Sequence, residues 1–122
     1  MEFDDIKAAA ERSRRFVHEI DGRRFELITP TQFAVNLISE ERRTFARVQR
    51  QLVLGALRGW TNVSTDDLRL PDLDLPREPL VYSAEMAEIL LNERPDWEDA
   101  LADVVSARVK ERRERLEAAS GN

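Results

Sequence analysis

Residues 15 to 28 read RFVHEIDGRRFELI, two runs of alternating apolar and polar residues on either side of Asp21-Gly22. An Asp-Gly pair between such runs marks a type I′ turn, which needs positive φ at both central residues, a conformation these two residue types tolerate best. The stretch therefore predicts a β-hairpin with a two-residue loop. That loop fixes the register: Ile20 opposes Arg23, Glu19 opposes Arg24, His18 opposes Phe25 and Phe16 opposes Leu27. One face then carries Phe16, His18, Ile20, Phe25 and Leu27. On the other face Glu19 meets Arg24 as a cross-strand charge pair.

Outward from the hairpin the signals become helical. Residues 1 to 14 read as an N-terminal helix or arm, with Asp4 or Asp5 near the start of a helix over 3 to 14 and Phe3, Ile6 and Ala10 on one side. After the hairpin, Pro30 breaks the strand and Thr31 caps a turn or helix carrying Phe33, Leu37 and Ile38. Ser39, followed by Glu40 and Glu41, has the form of a second N-cap, at which the helix restarts or bends. The main helix then runs to about Arg58 on a stripe of Phe45, Val48, Leu52, Ala56 and Leu57, with Gly59 as its C-terminal cap. Helices thus fill residues 31 to 58.

From 60 to 79 the chain changes character. WTNVSTDDLRLPDLDLPREP holds three prolines and five acidic residues against two arginines, and its leucines keep no helical period. It reads as an extended acidic connector or lid with room for a short strand. Residues 83 to 118 return to helix. Ser83 caps a short one to about Asn92, Pro95 stops the chain, and Asp96 caps again with Asp99 three residues later. The last helix spans Trp97 to about Ala118, on a stripe of Trp97, Leu101, Val104, Val105 and Val109. Beyond Lys110 only Leu116 continues it, so the final turns are expected to be exposed or to depend on a partner. The fold class is mainly α with a small N-terminal β-hairpin, an α+β arrangement. One domain is expected over residues 1 to 122, carrying a long acidic loop that contains proline.

Composition narrows the function. The chain has 122 residues, no cysteine, a net charge of −5 and 35% charged residues. A core at this length needs no disulfide or metal staple, and the absence of cysteine fits a reducing cytoplasm. No apolar run suits a membrane span, and MEFDDIKAAAERSRR orders its charges wrongly for a signal peptide, so no membrane association is expected. Nucleic acid is an improbable partner. Arginine and acid interleave, as in EERRTFARVQR and KERRERLEA, where a nucleic-acid binder would gather its basic residues on one face.

No catalytic site is visible. Nucleophilic catalysis needs a base beside the nucleophile and a third group to orient it, and the single histidine, His18, sits on the core face of the hairpin as a partly buried, hydrogen-bonded ring. Asp66, Asp67, Asp72 and Asp74 lack the glycine and the terminal glutamate of a calcium loop, so no metal site is expected. The four glycines are scattered and make no phosphate cradle. Neither cofactor nor enzyme activity is expected. The residues that draw notice are apolar: Trp60 and Trp97 at helix ends, where such rings either clamp the corner of a core or line a groove, and the stretch LVYSAEMAEILL at 80 to 91.

The order of these features resembles the tail assembly chaperones of long-tailed bacteriophages and prophages. Gly22, Arg23, Phe25 and Leu27 match the "G-K/R-x-F/Y-x-L" strand of that family. Val81, Tyr82 and Ser83 match its "P-F-S" type segment, and Ile89, Leu90 and Leu91 its leucine-rich helix. Tyr82 stands where phenylalanine is usual, and the acidic loop is longer than the family's. The resemblance covers roughly residues 15 to 118. It implies a protein without catalysis that binds the tape measure protein, with tail tube subunits as a further client. Such a protein keeps them soluble in the host cytoplasm and leaves before the virion is complete. A client helix would enter an apolar groove. On that expectation Tyr82, Met86, Leu90, Leu91, Trp60 and Trp97 form the partner-binding set, with Ile89 assigned to the core and Met86 and Leu90 to the client. A homo-oligomer is compatible with this. Two other readings compete: a structural tail-completion or head-tail joining protein that stays in the particle, and a small acidic phage-encoded inhibitor of a host protein.

Overall fold

A computed structural model describes residues 1–41 and 44–120. Its centre is the hairpin, β1 (Arg15–Ile20) and β2 (Arg23–Ile28), paired antiparallel in the register that the two-residue turn dictates: Phe16 with Leu27, His18 with Phe25, Glu19 with Arg24, Ile20 with Arg23. Asp21 and Gly22 take φ of 49° and 82°, the left-handed pair that a type I′ turn requires. The ladder extends one residue further, since the Thr29 amide donates to the Arg14 carbonyl at 2.8 Å. His18 is half-buried, but its ring makes no hydrogen bond among the described residues.

The hairpin does not stand alone. A third strand, β3 (Leu57–Thr61), pairs antiparallel with β2, so the sheet order is β1-β2-β3 and β2 is central. This corrects the expectation of a helix running to Arg58 with Gly59 as its cap. Helix α3 (Phe45–Ala56) ends at Ala56, and Leu57 turns into extended backbone at φ −70°, ψ 134°. From there LRGWT alternates, with Leu57 and Gly59 buried and Arg58 exposed, which is strand periodicity. Gly59 opposes Glu26, and a Cβ there would lie 2.9 Å from the flexible tip of the exposed Glu26 side chain, which would have to swing aside.

Helix α1 (Phe3–Arg14) runs directly into β1, and α2 (Gln32–Glu40) follows the hairpin. Thr31 caps α2 by accepting from the Ala34 amide at 3.2 Å. Ser39 does not begin a second helix. Its hydroxyl donates back to the Val35 carbonyl at 3.0 Å inside the last turn of α2. Thr44 instead caps α3. Residues 42 and 43 lie between the two helices, outside the described part.

The connector at 62 to 83 contains one 3-10 turn, Thr65–Leu68, and is closed at its base by a bridge between Ser64 and Pro79. Two of its expected loop residues, Asp67 and Leu68, are buried. Ser83 caps α4 (Ala84–Glu93), and α5 spans Pro95–Ala119. Pro95 starts that helix where it was expected to stop the chain, because its missing N–H costs nothing in the first turn. Asp96 is therefore a first-turn acid and not the cap.

One hydrophobic cluster joins all the layers: Phe25 and Leu27 of β2, Leu57 of β3, Val53 and Ala56 of α3, Leu90 and Leu91 of α4, and Trp97, Leu101 and Val105 of α5. The sheet thus packs one face against α3, α4 and α5. Helices α1 and α2 contribute no buried residue. No helix among the described residues is long and apolar enough to cross a membrane.

Candidate interaction surface

Two expected partner-binding residues meet at the edge of the sheet. Trp60, on β3, stands edge-on to Phe25 at 6.5 Å and to Tyr82 at 5.0 Å between ring centroids. Its indole N–H donates to the Leu80 carbonyl at 2.8 Å, and the Tyr82 hydroxyl donates to the Leu57 carbonyl at 2.9 Å. Burial raises the Tyr82 pKa, against a smaller lowering by the Arg58 charge. The pair latches the end of the connector onto β3 and satisfies both polar tips.

The other expected contacts are core. Leu90, Leu91 and Trp97 are almost entirely buried. The division proposed for α4 is reversed: Ala87, Leu90 and Leu91 occupy positions i, i+3 and i+4 and face inward, which places Ile89 on the far side, exposed. Met86 sits half-buried on the flank between these faces. Three of the six are thus core side chains, and Trp60, Tyr82 and Met86 are half-buried.

Trp97 is held by charge as well as by packing. The Arg94 guanidinium lies over its ring at 3.8 Å and that of Arg23 at 5.4 Å. Arg23 also pairs with Asp67 at 2.5 Å, and Arg94 approaches the same carboxylate at 4.0 Å. Asp67 further accepts from the Ser64 amide at 2.9 Å. Three segments distant in sequence thus converge on one buried acid: the hairpin turn, the 3-10 turn and the start of α5. Arg94 also reaches Asp96, whose hydrogen bond from Arg94 lowers the carboxyl pKa. Every one of these groups has a partner within the fold, so the arrangement reads as an electrostatic clasp. Trp97 Nε1 is the exception, buried without a hydrogen-bond partner. Among the described residues, no three His, Asp or Glu side chains are grouped to hold a metal ion.

The open apolar surface lies elsewhere. Helix α2 is apolar at 33, 34, 35, 37 and 38, a pattern that covers most of its circumference. A helix of that kind is normally buried. Here Ala34, Val35 and Ile38 are only half-covered, while Phe33 is 73% and Leu37 47% exposed. Phe33 and Leu37 are four residues apart and so form one ridge along the helix. Phe45, at the start of the neighbouring α3, is 81% exposed, and Phe3 and Ile6 of α1 also face solvent. The sequence stripe had already marked Phe33, Leu37 and Phe45 as apolar; what it lacked was any sign that the core would close without them. Comparison with family models, with curated proteins and with solved structures returned no match.

Proposed function

We propose that this chain is a non-catalytic assembly chaperone of a phage tail, and that it holds an amphipathic helical segment of the tape measure protein on the ridge formed by Phe33 and Leu37. The observation that carries the reading is α2 itself, five apolar residues on a nine-residue helix with none buried. A ridge of large side chains at i and i+4 fits the groove of a second helix, and a tape measure protein is long, helical and rich in apolar stripes. Phe45, at the start of α3, is a further exposed aromatic side chain. A chain that is 35% charged keeps such a complex in solution. Tail tube subunits are a second candidate client, and the host cytoplasm is the compartment of action.

The order of features that resembles the tail assembly chaperones supports the same reading, with the contact surface moved from α4 to α2. Mass spectrometry of purified particles tests it. A chaperone is absent from the finished tail, and this protein in fixed copy number there would instead identify a structural component.

A further inference from the structure

Two surfaces far apart on the molecule are complementary in charge, and each also carries exposed apolar side chains. The first is the tip of the connector, Asp72-Leu73-Asp74-Leu75. Leu73 is 57% and Leu75 44% exposed, and neither aspartate has an ion-pair partner among the described residues. The stretch from 66 to 78 carries five acidic residues against two basic ones. The second is a groove of about 470 Å³ between the start of α2 and the last turns of α5, lined by Pro30, Val109 and Leu116 together with Arg112 and Arg113. Glu117 also lines it, but the helix from 108 to 117 carries five basic residues against three acidic ones. Arg112 and Arg113 have no ion pair among the described residues. A groove lined by apolar and cationic side chains is the chemical counterpart of a strip in which leucine alternates with aspartate.

The chain cannot satisfy itself. The connector is anchored at the start of α5, where Asp67 meets Arg94, and Leu116 lies twenty-two residues further along the helix, which is ~33 Å at 1.5 Å rise per residue. Thr65 binds the loop's return strand, donating to the Pro76 carbonyl at 2.8 Å and accepting from the Glu78 amide at 3.1 Å, so Leu75 is tied to the base. Even fully extended, the five residues from Asp67 to Asp72 reach only ~18 Å.

We infer that the Asp72–Leu75 strip of one molecule docks into the Arg112, Arg113, Leu116 groove of a second copy of this chain. The contact is heterologous, because donor and acceptor are different surfaces, and a bound pair keeps one free strip and one free groove. Repetition therefore gives a head-to-tail chain or, if the rotation closes, a ring. This inference uses neither Phe33 nor Leu37 and stands apart from the client-binding reading.

Sedimentation velocity of the full chain as a function of concentration tests it, at low salt where charges act over ~30 Å and again near 1 M where they act over ~3 Å. The parent should grow beyond a 14.1 kDa monomer at low salt and lose that growth at high salt. Asp72→Arg/Asp74→Arg and Arg112→Glu/Arg113→Glu, with helical content by circular dichroism equal to the parent's, should each be monomeric. An equimolar mixture of the two variants should associate again, since each reversed surface now meets its complement on the other molecule. A parent that stays monomeric at low salt, variants that associate as the parent does, or a mixture that stays monomeric would overturn the proposal.

Discussion

The ring of Phe25 stands edge-on to that of Trp97, with centroids 5.6 Å apart and planes at 73°. Phe25 belongs to the central strand and Trp97 to the first turn of the C-terminal helix, and both are buried. The contact joins the hairpin to α5 across more than half the sequence. Because Arg94 and Arg23 stack on the same indole, its loss would loosen the clasp as well as the core.

Trp97→Ala is accordingly expected to cost about 3 to 5 kcal/mol, in the range of large-to-small core changes. Trp97→Phe should cost clearly less, since the indole N–H has no partner to lose. Urea denaturation midpoints measure both. Equal losses for the two variants would show that the indole's extra ring, and not the aromatic contact with Phe25, supplies the stabilisation.

Asp67 offers a second test. Asp67→Ala removes the carboxylate that faces Arg23 and Arg94, and Arg94, with its side chain 5% exposed, would be left with Asp96 alone. Losing the pair with Arg23 and leaving the Ser64 amide without its acceptor should cost about 1 to 3 kcal/mol. Arg23→Ala should cost less, because Asp67 keeps Arg94 and the Ser64 amide. Denaturation of the two variants side by side checks the order.

The glycines separate cleanly. At Gly55, inside α3, an added Cβ meets nothing within 4 Å, so Gly55→Ala should stabilise by about 0.5 to 1 kcal/mol through helix propensity. Gly22 has equal space but φ of +82°, so Gly22→Ala should destabilise by about 1 to 2 kcal/mol. Thermal melts of the two variants should move in opposite directions.

The hairpin was legible because its determinants are local: two turn residues and a period of two set the pairing without help from the rest of the chain. The caps at Thr31 and Ser83 were legible for the same reason. Strand β3 was not. Its five residues follow a helix with no break residue between, and only pairing with β2 makes Leu57 to Thr61 extended. The face of α4 is not legible because Met86, Ile89, Leu90 and Leu91 offer two apolar sides, and the choice between them is made by packing against α3, α5 and the 3-10 turn, which the helix's own pattern does not encode. The exposed ridge on α2 escaped for a related reason. Apolar periodicity marks what can be buried, and whether it is buried depends on how much other surface the core already closes.

The most direct test of the proposed client binding is the fraction of a long-tailed phage's tape measure protein that remains in the clarified lysate on co-expression with the parent and with Phe33→Asp/Leu37→Asp. Both substitutions are at exposed positions, so the variant should keep the parent's circular dichroism and melting temperature. The account predicts that the parent holds the client in solution and co-purifies with it, and that the folded variant does neither. A client that stays soluble and bound with the variant, or that precipitates with the parent, would contradict it.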